Sequence, residues 1–206
     1  RLTMTVQRFV ALACPPDIPQ PPLFDNPAIS LTSEQLRIVQ TKFQLNPDRP
    51  LLALCPGAEY GAAKRWPADY FAIVAKHMLA RGWQVILVGS NKDRAITQDI
   101  AQQVDNPALQ NLAGVTTLLE ALTLLALARK VVSNDSGLMH MAAAVGVPVL
   151  ALYGSSDPGF TPPLHASAQI MWLALECSPC FKRECPMGHL DCLMQLLPNQ
   201  VLAKLM

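Results

Sequence analysis

Residues 130–152 read KVVSNDSGLMHMAAAVGVPVLAL. An apolar run leads into the polar knot Ser133, Asn134, Asp135 and Ser136, then Gly137 opens a stretch of Leu, Met and Ala, and Pro148 begins a second apolar run. That order predicts strand, loop, helix and strand, with both strands apolar enough to be covered on two faces. Two such strands joined through a helix make a parallel pair with a right-handed crossover. Outward from this unit the alternation continues. Strands are expected at Leu51–Cys55, Gln84–Val88, Ala108–Leu112, Lys130–Ser133 and Pro148–Leu152, with Gln169–Leu175 as an edge strand. Helices are expected at Ala68–Ala80, Asp93–Val104, Thr117–Arg129 and Gly137–Val145. The fold class is therefore α/β, a doubly wound, Rossmann-like parallel sheet.

Ahead of the sheet, residues 1–13 read as a short amphipathic helix, and CPPDIPQPPLFDNP (14–27) places six prolines in fourteen positions. Such a stretch can be neither helix nor central strand and serves as a stiff connector between domains. Thr32 and Gln35 form a capping box for a helix running to about Phe43, and Thr117 with Glu120 forms another. This divides the chain into 1–46, the tail of a preceding domain with its linker, and 47–206, the sheet domain. The first residue is Arg and no secretory signal follows, which reads as an internal cut. Of the residues 51% are hydrophobic and 15% charged, and the net charge is +1 without blocks of one sign. Broad attraction to nucleic acid is thereby excluded. The longest apolar stretch, Leu118–Ala128, is interrupted by Glu120 and is too short to span a bilayer.

Ligands of such sheets bind outside the carboxyl ends of the strands, so four loops matter: 55–67, 88–93, 133–137 and 153–163. Asn134, Asp135 and Ser136 each cap helices well, yet one suffices for capping; three in a row before Gly137 point to a ligand surface. Ser136 and Gly137 suit a phosphate, while a carboxylate repels one, so Asp135 should face sugar hydroxyls or backbone amides. His140 lies one turn along the same face and reads equally as a packed core residue or a member of the site. In the first loop Gly57, Ala58 and Gly61 precede Lys64, a compact charge for an anionic ligand or else one of a solvated Lys–Arg pair. Trp66 before Pro67 reads as a packing anchor. No G-x-G-x-x-G follows a strand and no P-loop motif occurs, which removes the ordinary nicotinamide and P-loop readings. No Asp-x-Asp pair exists to hold magnesium, so a departing diphosphate would rely on amides, the helix dipole and Lys64.

Taken together, PGAEYGAAKRWP (56–67), LVGSNKD (87–93), NLAG (111–114), NDSGLMHMAAA (134–144) and ALYGSSDPGFTPP (151–163) resemble glycosyltransferase family nine, the lipopolysaccharide heptosyltransferases. The resemblance runs from the first helix to about Pro163. It implies a GT-B fold, with this chain matching the C-terminal, donor-binding domain. It also implies transfer of heptose from ADP-L-glycero-D-manno-heptose to the lipopolysaccharide inner core of a Gram-negative cell, with inversion and without metal or catalytic cofactor. The expected location is cytoplasmic, at the cytoplasmic face of the inner membrane, with peripheral membrane contact and no nucleic acid. By motif, Lys64 matches the lysine that neutralises the diphosphate, and Asp135, Ser136 and Gly137 match the donor-binding turn, with His140 in the same motif. Gly57 and Ala58 join them from the first loop, and Asn91 falls near a ribose-binding acidic position, with Asp93 two residues on. The family's general base is an Asp near the start of its N-terminal domain, which has no counterpart here. The chain alone is thus expected to bind donor weakly and transfer nothing. The rival readings are another GT-B nucleotide-sugar transferase or epimerase, and a nucleotide-responsive interaction module stabilised by zinc.

Cysteines stand alone at Cys14 and Cys55 and cluster as Cys177-x₂-Cys180-x₄-Cys185-x₆-Cys192, with His189 between. The crowding suggests a structural zinc site, against buried reduced thiols or a disulfide.

Overall fold

The computed structural model describes residues 2–15 and 17–206; Arg1 of the first expected helix and Pro16 of the connector lie outside the described residues. Six strands form one sheet: β1 (Leu51–Cys55), β2 (Gln84–Leu87), β3 (Leu109–Asn111), β4 (Lys130–Asn134), β5 (Val149–Tyr153) and β6 (Gln169–Trp172). All pairings are parallel and the order is β3-β2-β1-β4-β5-β6. The expected doubly wound sheet is therefore the fold. Burial on both faces holds for β1, β2 and β5 and for β4 beyond Lys130. It fails for β3 and β6, which are edges with a neighbour on one side only.

The helices are α1 (Thr5–Ala13), α2 (Ser33–Lys42), α3 (Ala68–Ala80), α4 (Arg94–Val104), α5 (Leu118–Leu127), α6 (Gly137–Ala144), α7 (Asp191–Met194) and α8 (Pro198–Leu205). Side chains of α3, α4, α7 and α8 fill the core on one face of the sheet, those of α2, α5 and α6 the core on the other. Leu52, Leu54, Ile86 and Leu87 are fully buried between them, each stabilising the fold by roughly 1.5–3 kcal/mol. Both capping boxes form. Gln35 N donates to Thr32 Oγ1 at 3.2 Å and Thr32 N to Gln35 Oε1 at 2.8 Å. Thr117 and Glu120 repeat this at 3.2 and 2.8 Å. α4 begins one residue later than expected, because the Asp93 carboxylate folds back to accept from Ser90 N and Oγ, both at 2.8 Å.

Beyond β6 the chain runs without regular structure from Leu173 to Leu190, then forms α7 and α8, neither apparent from periodicity. α1 buries none of its residues and leaves Phe9 and Leu12 exposed. It is joined to the sheet unit by Thr5 N donating to Phe160 O at 2.8 Å and by Arg8 over the Phe160 ring. Among the described residues no helix is long and apolar enough to cross a membrane.

Candidate functional site

β1 and β4 are neighbours, but α3 leaves β1 for one face of the sheet and α6 leaves β4 for the other. The strand order reverses between them, and the crevice beyond their carboxyl ends is where such sheets take ligands. The loop after β1 carries Lys64; the loop after β4 carries the polar knot.

Each side chain of that knot has a partner other than the helix that follows. Asn134 accepts from Trp66 N at 3.1 Å and donates to Pro56 O at 2.7 Å, clamping the first loop to β4. Asp135 Oδ2 accepts from Lys64 Nζ and from Ser156 Oγ, both at 2.5 Å. Ser136 Oγ pairs with Ser133 Oγ at 3.3 Å. No side chain caps α6, so simple capping does not explain the three polar residues. An uncapped helix start presents free amides and the positive end of the dipole to an anion. A Cβ on Gly137 would meet nothing within 4 Å, so glycine there leaves room for a ligand rather than for protein. Gly57 differs. A Cβ there would lie 2.3 Å from Asp93 Oδ1, so only glycine lets the loop pass.

Gly57, Ser136 and Gly137 border a cavity of about 340 Å³. Ser136, Ser90, Thr116, Thr117 and the Glu59 carboxylate bring polar groups to its lining, and Val88, Leu118, Leu138 and Met141 apolar ones. Ala58 and Asp93 also line it. Asn91 does not: its Oδ1 packs under Gly114, where a Cβ would come within 2.2 Å. His140 lines two smaller recesses beside Leu164 instead. Its exposed ring sits where surrounding protein disfavours the charged form and lowers its pKa, with nearby Asp135 opposing and Lys64 adding to the effect.

Lys64 and Ser156, the two partners of the Asp135 carboxylate, line a second cavity of about 220 Å³ together with Tyr60, Asp157, Phe160 and Phe181 among others. Lys64 Nζ and the Arg183 guanidinium each lie over the Tyr60 ring, 5.0 and 5.1 Å from its centroid. Phe181 stacks on Phe160 with centroids 5.5 Å apart. It holds a left-handed backbone, φ +53, which costs a bulky residue roughly 1–3 kcal/mol. Sequence reasoning marked the loop containing Ser156 and Phe160 without singling out either residue, and missed Tyr60 and Phe181. A serine in SSDPG reads as a turn former, and Phe181 sits among cysteines far along the chain.

The family model for glycosyltransferase family 9 (heptosyltransferase) matches residues 1–191. The chain belongs to glycosyltransferase family 9. It is 38% identical over 212 residues to lipopolysaccharide heptosyltransferase 2 of Salmonella typhimurium, covering 98% of this chain and 60% of that protein. To lipooligosaccharide heptosyltransferase 2 of Haemophilus influenzae it is 41% identical over 214 residues, covering 98% of this chain and 62% of that protein. The solved structure of E. coli ADP-heptose lipopolysaccharide heptosyltransferase II superposes with a TM-score of 0.83 at 36% identity, over 98% of this chain and 61% of that one. The chain thus spans about three fifths of the length of these relatives.

All six cysteines are free, and among the described residues no three Cys, His, Asp or Glu side chains stand where they could hold one metal ion. A zinc site at Cys177, Cys180, Cys185 and Cys192 stays an expectation of the spacing. Spacing counts residues along the chain and does not see their direction. Cys192 enters the core at the first turn of α7 while Cys177 stays exposed. Nearby backbone N–H groups, that of Leu190 foremost and then those of Met187, Gly188 and His189, favour the Cys185 thiolate and lower its pKa against the opposing effect of burial. His189 Nδ1 turns to Asp191. Burial pushes the Cys192 thiol up to about 11, helped by the charges of Cys177, Cys180 and Cys185. Desolvation pushes Cys55 up to about 12. The thiolate is the nucleophile, so iodoacetamide at mildly alkaline pH is expected to label Cys185 before Cys192 and Cys55. Peptide mass mapping that found Cys192 or Cys55 modified first would contradict this.

Proposed function

We propose that this chain is the donor-binding part of a heptosyltransferase that moves heptose from ADP-L-glycero-D-manno-heptose to the inner core of lipopolysaccharide, at the cytoplasmic face of the inner membrane. The observation that carries the reading is the uncapped start of α6 set beside the Lys64 ammonium at the reversal of strand order, next to a cavity with apolar walls. The base and ribose occupy the larger cavity, and the diphosphate lies across the α6 amides within reach of Lys64. As the bond from the sugar's anomeric carbon to the diphosphate breaks, its electron pair leaves with ADP. Lys64 and the amides stabilise that charge without needing to reorganise. The acceptor hydroxyl attacks from the opposite side, inverting the centre. Its proton passes to a base in the part of the relatives' length that this chain does not span. Residues 1–46 act as tail and linker of that other domain: α1, with its exposed Phe9 and Leu12, has an apolar face fit to pack on it.

Calorimetric titration with ADP, UDP and GDP tests the reading. ADP is expected to bind preferentially; a folded sample that takes no nucleotide would overturn it. Asp135 adds a second, signed prediction. Its carboxylate shares Lys64 with the diphosphate and repels it, so Asp135→Asn is expected to tighten ADP binding by about fivefold, on the order of 1 kcal/mol. Weaker binding in that variant would mean that Asp135 holds the ligand directly.

A further inference from the structure

We infer that Phe181, stacked on Phe160, is a specificity-determining residue whose ring forms the platform for the sugar of the donor. The inference rests on the nucleotide-sugar reading above and adds residues to it. The Lys64–Asp135 pair links the two cavities: Ser136 and Gly137, which follow Asp135 in the chain, line the larger, and Lys64 lines the smaller with Tyr60, Ser156, Phe160 and Phe181. Nucleoside, diphosphate and sugar follow one another in the same order. The smaller cavity, about 220 Å³ against 340 Å³, suits a single sugar.

Its chemistry is two-sided, as a sugar's is. One wall is the Phe160–Phe181 stack, with 18° between the rings. The rest of the lining brings polar groups, from Thr5, Lys64, Ser156, Asp157 and Thr161. A pyranose presents C–H groups on a face and hydroxyls at its rim, so the face meets the electron-rich rings and the rim meets the polar wall.

Phe181 is also built in. Its N–H donates to Ser155 O at 2.7 Å, and its carbonyl accepts from Tyr60 Oη at 2.8 Å. Two cations, Lys64 and Arg183, lie over the Tyr60 ring. These contacts hold a bulky residue in the left-handed region, yet its side chain stays exposed, 45% for the residue. A residue serving only the core would be buried. Strain that keeps an apolar ring in the open points to a ligand for that ring.

The test is calorimetric titration of this chain with ADP and with ADP-heptose, repeated for Phe181→Leu and Phe181→Tyr. The unaltered chain is expected to bind ADP-heptose more tightly than ADP. Phe181→Leu keeps apolar bulk without the ring; it should weaken ADP-heptose about three- to tenfold and leave ADP unchanged. Phe181→Tyr, which keeps the ring, should restore the affinity. Equal losses for both ligands would assign Phe181 to the phosphate loop, and no loss for either would remove it from the site; each overturns the inference. Failure of the unaltered chain to bind ADP would instead sink the nucleotide reading beneath it.

Discussion

Lys64→Ala is expected to weaken ADP binding about tenfold to a hundredfold, the worth of a charge-assisted contact to a phosphate. The same change should destabilise the unliganded chain. The Lys64 and Asp135 side chains are only 17% and 5% exposed, and their 2.5 Å contact is the carboxylate's one ion pair. Removing the ammonium leaves Asp135 with the Ser156 hydroxyl alone. Breaking a buried pair on one side costs about 3–5 kcal/mol; with Ser156 retained, about 3 kcal/mol is expected in urea unfolding. Adding Asp135→Asn removes the stranded charge, so the double variant should recover most of the stability while binding stays weak. Unchanged ADP affinity in Lys64→Ala would separate the lysine from the diphosphate. Unchanged stability would mean that water reaches Asp135 freely once the lysine is gone.

Trp66→Ala is expected to cost about 4 kcal/mol, within the range for deleting a buried aromatic ring. The side chain is fully buried, edge-on to Phe71 at 4.9 Å and to Tyr70 at 5.4 Å. Its Nε1 donates to Leu196 O at 2.8 Å, tying the loop after β1 to the connection between α7 and α8. Trp66→Phe keeps most of the packing and loses only that hydrogen bond, so about 1 kcal/mol should separate it from the native chain. Denaturant midpoints for the two variants measure both numbers. Equal midpoints for Trp66→Ala and the native chain would show that the ring is not a core element. The loop that Trp66 anchors carries Lys64, so Trp66→Ala should lower ADP affinity as well.

Much of the fold and part of the site are legible from local pattern. Short apolar runs alternating with helical segments specify a parallel doubly wound sheet, and the Thr32 and Thr117 boxes mark where two helices begin. Gly57, Lys64, Asp135, Ser136 and Gly137 stand out because their loops follow strands, and topology gathers them at one crevice. Asn91 and Asp93 are different. Their distance in sequence from β2 suits a ribose contact, yet Asn91 packs under Gly114, and Asp93 spends one carboxylate oxygen on Ser90 while standing in the cavity wall. Polar side chains near a helix start satisfy local backbone groups first, and spacing cannot separate that use from a ligand contact.

Alone, the sequence determined the elements and their order, because strand and helix periods and caps depend on residues a few positions apart. Only the tertiary structure decided the contacts that make a site. Lys64 meets Asp135 across 71 positions, Tyr60 meets the Phe181 carbonyl across 121, and the Trp66 ring reaches Leu196 across 130. The same holds for the cysteines, of which α7 carries Cys192 into the core while Cys177 stays exposed. Contacts over such separations depend on crossover handedness and on which face each helix covers, and no local pattern carries that information.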